Sequence, residues 1–334
     1  MQSATASLLS GAIFGTGLTL SGVASPQVIR DQFRLLDFHM LVTFLTASAA
    51  SAVVFAVYNR RATSSSSGKS IPPKPDTTHG WIGKYDGNVI GSGMVGLGMA
   101  LTGACPGTVL VQATAGIGRS RLLACSAVVA GMAWIKIKPF VVGQTTTKSQ
   151  PGEGSIMTAT GWSAKKTIVI YELAMIASIM TALAAAPRDT RLLHPVIGGL
   201  FIGMGQLSSV LLARKPVGVS TAYEESGKLI WDTLRGKKPS ALPDSIVFAL
   251  GIMAGSLTTM LSVPATREAL ARSEEVSLPL TLIGALLLVF GARIAGGCTS
   301  GHGISGMASM GLSSCISVAS MFGTGLLAGI GLEM

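Results

Sequence analysis

Cys105 lies in GACPGT (residues 103–108) and Cys298 in GGCTSGHGISG (residues 296–306), and each follows an apolar run directly. A thiol donates one weak hydrogen bond and accepts another, and its soft sulfur surface suits a polarisable, sulfur-bearing anion better than a hard one. The backbone around both is set against helix. Pro106 has no amide hydrogen and the flanking glycines weaken the helical state, so helix is expected to break near Cys105 and near Cys298. Residues 106–116 and 299–310 are long enough for short re-entrant helices, with Pro106 suited to a first helical position. Their free amides, at Gly107, Thr108, Thr299, Ser300 and Gly301, present the positive end of a helix dipole, a setting that favours an anion. A single cysteine beside glycines is most often a packing residue. The recurrence of Gly-x-Cys in two helix-breaking contexts favours a shared passage.

Other chemistry-bearing residues yield less. His302 stands four residues after Cys298, but two ligands without a carboxylate make no metal site, and the residue is read as lining a vestibule. Without a CxxC pair, neither a zinc ribbon nor a thioredoxin motif is supported; Cys125 and Cys315, at the starts of apolar runs, are read as buried packing residues. GHGISG and GSGMVG match G-x-G-x-x-G outside any βαβ context, so no dinucleotide is expected, and neither a metal nor another cofactor. No P-loop is present. Arg293 and Glu172 fall within apolar runs, where an ionisable residue is a functional candidate by default; they are candidates to pair with each other or to reach the membrane surface.

The elements that must position these residues are membrane helices. Hydrophobic residues make up 49% of the 334, charged residues 12%, and mean hydropathy is +0.57, which predicts an all-α integral membrane protein. Nine apolar runs of spanning length are read at 5–24, 37–58, 88–104, 119–135, 165–186, 193–213, 243–263, 276–295 and 312–332. The net charge of +10 is dispersed among loops, so no nucleic-acid-binding face is predicted. Loops after the second, fourth and sixth runs hold sixteen Lys and Arg against eight on the other side. That bias predicts a cytoplasmic N-terminus, in the plasma membrane. The first basic residue is Arg30, so the first run lacks the charged start of a cleaved signal and is expected to be retained. Residues 60–80, rich in Ser, Pro and Lys, have the composition of a flexible loop for which no function is expected.

Self-comparison at a shift of 193 aligns Gly98 with Gly291, Gly103 with Gly296, Cys105 with Cys298 and Gly118 with Gly311. A shift of 188 places Gly11, Gly15, Gly17 and Ser21 on Gly199, Gly203, Gly205 and Ser209. Two pseudo-symmetric halves are therefore expected: 1–140, a linker at 141–165, and 166–334 with one extra helix. Half-to-half repetition is typical of transporters with a site at the repeat interface.

At these residues the chain resembles the YeeE/YedE sulfur-transport family. The resemblance rests on GACPGT at 103–108 and ARIAGGCTSGHGISGMA at 292–308, supported by GAIFGTGLTLSGVASPQVI at 11–29 and PVGVSTAYEE at 216–225. It implies nine membrane helices with short half-helices, narrowed at the middle, and uptake of thiosulfate past cysteines through S–H to sulfur hydrogen bonds. Cys105 and Cys298 match two of those cysteines. At the third position, in the first repeat, this chain offers Ser21 and Ser25 instead. The implied partners are a small sulfur-containing anion, membrane lipid and a soluble sulfur-handling protein. Two alternatives stand beside transport of thiosulfate: a membrane thiol or persulfide redox enzyme, and a channel for small solutes.

Overall fold

The computed structural model describes residues 2–64, 70–142, 154–185, 193–237, 241–271 and 275–331, and all regular structure among them is helical. In chain order the helices are α1 (Gln2–Leu20), α2 (Pro26–Phe33), α3 (His39–Thr63), α4 (Asp86–Thr102), α5 (Thr108–Ala115), α6 (Ser120–Val141), α7 (Ile156–Thr160), α8 (Ala164–Ala185), α9 (Pro195–Ser208), α10 (Thr221–Leu234), α11 (Asp244–Ser262), α12 (Pro264–Ala271), α13 (Leu278–Ile294) and α14 (Leu312–Gly331). Wider, π-type turns extend α9 over Ser209–Ala213 and form the segment Thr299–Gly306 after α13.

Among the described residues seven helices are long and apolar enough to cross a membrane, and α13 with the π segment, bent by 43°, makes an eighth if it counts as one span. The remaining expected run is α4, which at 17 residues is at the short end of the spanning range. Large apolar side chains stand exposed around the bundle, including Leu173, Leu261 and Leu327 at 61, 72 and 77%. Such a surface is compatible with hydrocarbon and not with water, and the chain is an integral membrane protein.

Helix order in sequence is not order in space. α1 packs on α11 and α9, α4 on α13 and α14, α3 on α9 and α8, and α6 on α10 and α13. α8 is peripheral; it packs inward through Ile168, Met175 and Ile179 and is hydrogen-bonded to the interior through Tyr171, whose Oη meets Ser48 Oγ at 2.7 Å while Ser48 donates to the Gly303 carbonyl at 2.7 Å. Cys125 is exposed on α6 and Cys315 half-buried on α14, so the packing role expected of Cys125 is not what the fold gives it: its face of α6 has no neighbour to bury it.

Residues from connections expected on one face lie close to one another. Ser3 donates to Asp244 (2.9 Å), Lys215 pairs with Asp244 (2.6 Å) and Lys138 with Glu224 (2.7 Å), while Arg119 meets Glu275 (3.5 Å) on the other. Lys69, Lys148, Arg188, Arg191, Lys238 and Arg272, which contribute to that charge bias, and residues 143–153 of the linker lie outside the described residues.

Residues 70–80 are the largest departure from expectation. Far from a loose loop, they form a strap pinned at successive points. Asn59 exchanges hydrogen bonds with Ile71 at 2.8 and 3.0 Å, Ser313 donates to the Lys74 carbonyl at 2.9 Å, and Thr77 N–H reaches Asn88 Oδ1 at 2.7 Å. Thr77 Oγ1 and His79 Nε2 then donate to the Ala295 and Ile294 carbonyls at 3.0 and 2.9 Å. These two carbonyls belong to the end of α13, where intrahelical donors have run out.

Candidate functional site

Of the helices that stop at a residue in left-handed backbone, four matter for the site: α1 at Gly22 (φ +74°), α4 at Gly103 (+63°), the α9 extension at Arg214 (+53°) and α13 at Gly296 (+75°). Gly103 is required twice over, since a Cβ there would also lie 2.5 Å from the Pro26 carbonyl oxygen. After each stop the chain re-enters as a short helical segment: α2, α5, α10 or the π segment.

Cys105 lies in the turn that leads into α5. Its carbonyl accepts from Val109 N–H at 3.0 Å, but α5 itself begins at Thr108 behind Gly107, so Pro106 falls in that turn and not at the first helical position expected of it. Cys105 N–H donates to Thr108 Oγ1 at 2.8 Å, and Thr108 N–H donates back to Cys105 Sγ at 3.4 Å. This is a capping box with Cys in the place of Ser and Thr in the place of Glu. At Cys298 the carbonyl likewise accepts four residues on, from His302 N–H at 2.8 Å, and Ser300 Oγ lies 3.3 Å from the sulfur, but the reciprocal side-chain cap is not repeated. Cys298 is 0% exposed and Cys105 is half-buried.

The breaks are tied to one another. Gln112 Nε2 donates to Ala24 and Gly103 carbonyls, both at 2.9 Å, linking the first to the second. Ser305 Oγ is 2.7 Å from Gln206 Oε1 and from the Val217 carbonyl, and Val219 N–H reaches Ser300 Oγ at 3.3 Å, linking the third to the fourth. Tyr223, buried, donates to the Pro106 carbonyl at 2.7 Å and so links the third to the second. A small cavity of about 50 Å³ sits in this junction; Cys105, Gly107 and Thr108 line it from one break, Thr299 and Ser300 from another.

The other expected residues are placed as follows. Ser21 is turned onto α9, where a Cβ at Gly198 would sit 2.6 Å from its Cβ, and its carbonyl accepts from His39 Nε2 at 2.6 Å. Ser25 caps α2 without a side-chain bond to it, and Val23 between them faces the cavity. His302 is buried behind the loop with both ring nitrogens engaged, to Ala295 O at 2.9 Å and Ser314 Oγ at 3.1 Å. Arg293 pairs with Glu224 at 2.6 Å, not with Glu172, which lies on peripheral α8. Gly301 faces a second, larger cavity of about 950 Å³. α3 lines the small cavity with Met40, Thr43 and Phe44 and the large one with Tyr58 and Arg61, so the two lie toward opposite ends of that helix. No cluster of metal ligands occurs among the described residues.

Sequence reasoning passed over Ser220, Tyr223, Glu224 and Lys74. Three of these sit in or beside PVGVSTAYEE, whose Gly-x-Ser ahead of an apolar-periodic helix is a capping signal of the same kind as Gly-x-Cys.

Broken helices converging on an interior cavity within a membrane bundle define a solute transporter's architecture. The chain belongs to the sulphur transport family, which matches residues 21–327. It is 31% identical over 115 residues to a "Probable transporter" of Xylella fastidiosa strain 9a5c, a match covering 34% of this chain and 76% of that protein. A "Probable transporter" of strain Temecula1 is 30% identical over 118 residues, with the same shares covered. The family implies a sulfur-containing substrate.

Proposed function

We propose that the protein carries thiosulfate, or a closely related small sulfur-containing anion, inward through a constriction between Cys105 and Cys298. The observation that carries this reading is the small cavity into which Cys105, Thr108, Thr299 and Ser300 all face. Because Thr108 N–H donates to the Cys105 sulfur, the thiol hydrogen is left to point at a substrate, and a terminal sulfur on that substrate is a soft acceptor of matching character. The positive ends of the two short helical segments, at Gly107 and at Ser300 and Gly301, oppose the anion's charge. No covalent step is needed, and a soluble sulfur-handling protein on the cytoplasmic side would draw off the product.

Two pseudo-symmetric halves frame this path. The order helix, break, short helix, two long helices, break, short helix, long helix occurs once from α1 to α6 and again from α9 to α14, with α8 extra and α12 inserted between the two long helices of the second half. Contacts exchange under the shift of 193: a Cβ at Gly91 would lie 2.6 Å from Gly291 O and one at Gly291 2.5 Å from Gly91 O, while Gly98 and Gly284 face each other at 3.2 and 3.6 Å. Since 91 maps to 284 and 98 to 291, this reciprocity supports a two-fold relation. The N-terminus is assigned to the cytoplasm on the charge bias, and the bilayer is taken to be the plasma membrane.

The test is uptake of labelled thiosulfate by cells lacking their own uptake route, comparing the intact chain with Cys105→Ala and Cys298→Ala. Loss in both variants is expected. Full uptake in either removes the cysteine passage, and no uptake by the inserted intact chain removes thiosulfate. The thiol-enzyme reading has one observation in its favour, the Ser300 hydroxyl 3.3 Å from the Cys298 sulfur. It requires a thiolate reactive at neutral pH, which alkylation kinetics of the purified protein would reveal.

A further inference from the structure

The strap carries a lysine into the interior. Residues 71–75 read Ile-Pro-Pro-Lys-Pro, and three prolines around one lysine hold the backbone extended and stiff. The Lys74 carbonyl is fixed by Ser313. Its ammonium lies against the loop that ends in Cys298, in the space a side chain at Gly297 would fill, and 3.4 Å from where a Cβ at Gly301 would be. It also faces the large cavity, beside Gly301 and Ser305.

No carboxylate among the described residues balances this charge. Among the described residues Lys74 Nζ has neither a carboxylate partner nor a side-chain hydrogen bond. The other charged residues on the same cavity are Arg61, Arg214 and Lys215. Of the carboxylates near this face, Glu224 pairs with Arg293 and Lys138, Asp244 pairs with Lys215, and Glu225 accepts from the Ser245 hydroxyl. A cation withdrawn from water is costly unless paired, and a cavity walled by one sign of charge concentrates the opposite ion.

We propose that Lys74 is the fixed charge of an anion-binding site in the large cavity, where its ammonium and the backbone at Gly297 and Gly301 hold a small divalent sulfur anion beside the Cys298 loop. This rests on the transport reading and adds to it a resting place distinct from the small cavity. Gly297 belongs to the site because any side chain there would displace the ammonium.

The experiment is thiosulfate binding to the purified full-length protein in lipid nanodiscs near pH 7, for the intact chain, Lys74→Gln, Lys74→Arg, Gly297→Ala and the Lys74→Gln/Gly297→Ala double variant. Lys74→Gln is expected to weaken binding about tenfold or more, the loss of one charge-assisted contact. Gly297→Ala should reproduce that loss while Lys74 is present and add nothing once it is gone, and Lys74→Arg should bind better than Lys74→Gln. Binding by Lys74→Gln equal to that of the intact chain overturns the site and leaves the transport reading standing. So do additive effects of the two substitutions. If Lys74→Gln does not insert, unchanged binding by Gly297→Ala alone overturns it. An intact chain that fails to bind thiosulfate overturns the transport reading as well.

Discussion

Cys105 and Thr108 cap each other: the amide of each is held by the side chain of the other, at 2.8 Å toward the Thr hydroxyl and 3.4 Å toward the Cys sulfur. The pair fixes where α5 begins and where the thiol points. Thr108→Val keeps the shape and removes the hydroxyl, leaving a buried amide unpaired at a cost of about 1–3 kcal/mol. Uptake by Thr108→Val is expected to fall about tenfold, the kinetic equivalent of roughly 1.4 kcal/mol, with Thr108→Ser close to the intact chain. Equal uptake by Val and Ser variants would show that the cap does not orient the thiol.

Cysteine is an unusual cap, and that separates its two roles. Serine is the better capping residue, so Cys105→Ser and Cys298→Ser should match the intact chain in thermal stability. If sulfur itself meets the substrate, both nonetheless lose uptake. Retained uptake in the serine variants would reduce the cysteines to caps.

Gln112 staples two breaks through one amide, with two carbonyls accepting at 2.9 Å. Gln112→Leu strands both acceptors in the protein interior and is expected to cost about 2–4 kcal/mol, seen as a melting temperature lower by several degrees in detergent. A melting curve unchanged from the intact chain would mean that water replaces the amide.

How the sequence disclosed all this differed by element. The long helices and the breaks at Cys105 and Cys298 were legible because lipid forbids unpaired backbone, so an interruption by Gly and Pro carries a strong meaning. The other two breaks were harder: neither carries a cysteine, and serine at 25 and 220 reads as ordinary polarity. Lys74 was hidden by composition. Ser, Pro and Lys together suggest a solvated loop, yet Pro72, Pro73 and Pro75 stiffen the chain, and the partners that pin it, Ser313 and Ala295, are more than 200 positions away. Arg293 was singled out correctly as unusual, but its partner Glu224 is on α10, outside the apolar runs where a partner was sought.

Glu224 stands between two cations, Arg293 Nε at 2.6 Å and Lys138 Nζ at 2.7 Å, and is only 14% exposed. Removing the shared anion leaves Arg293, 16% exposed, without its counter-charge, whereas removing Lys138 leaves the Arg293 pair intact. Glu224→Gln is therefore expected to destabilise by about 2–3 kcal/mol and Lys138→Gln by under about 1 kcal/mol. The Glu224→Gln/Arg293→Gln double variant should recover part of the loss, a coupling measurable by thermal unfolding of the four proteins. Strict additivity would show that the pair is held by packing alone.

Lys74 gives a pH dependence with a determined sign. It lies in the connection between α3 and α4, outside the spanning helices, and burial lowers its ammonium from 10.5 to about 8, with Cys298 opposing and Arg293 adding to the shift. Arg61, Arg214 and Lys215 face it across the cavity and His302 sits behind Gly297. Charge on Lys74 is present below about pH 8 and lost above it, so thiosulfate binding by the intact protein should weaken as pH rises through that value. Lys74→Gln should be flat over the same window and Lys74→Arg should hold its affinity to higher pH. Stability runs the opposite way. Between about pH 8 and 10.5 the unfolded chain holds a proton that the native state has released, so the fold gains stability as binding is lost. A decline in affinity accompanied by unfolding, or one of the same size in Lys74→Gln, would assign the effect to another group.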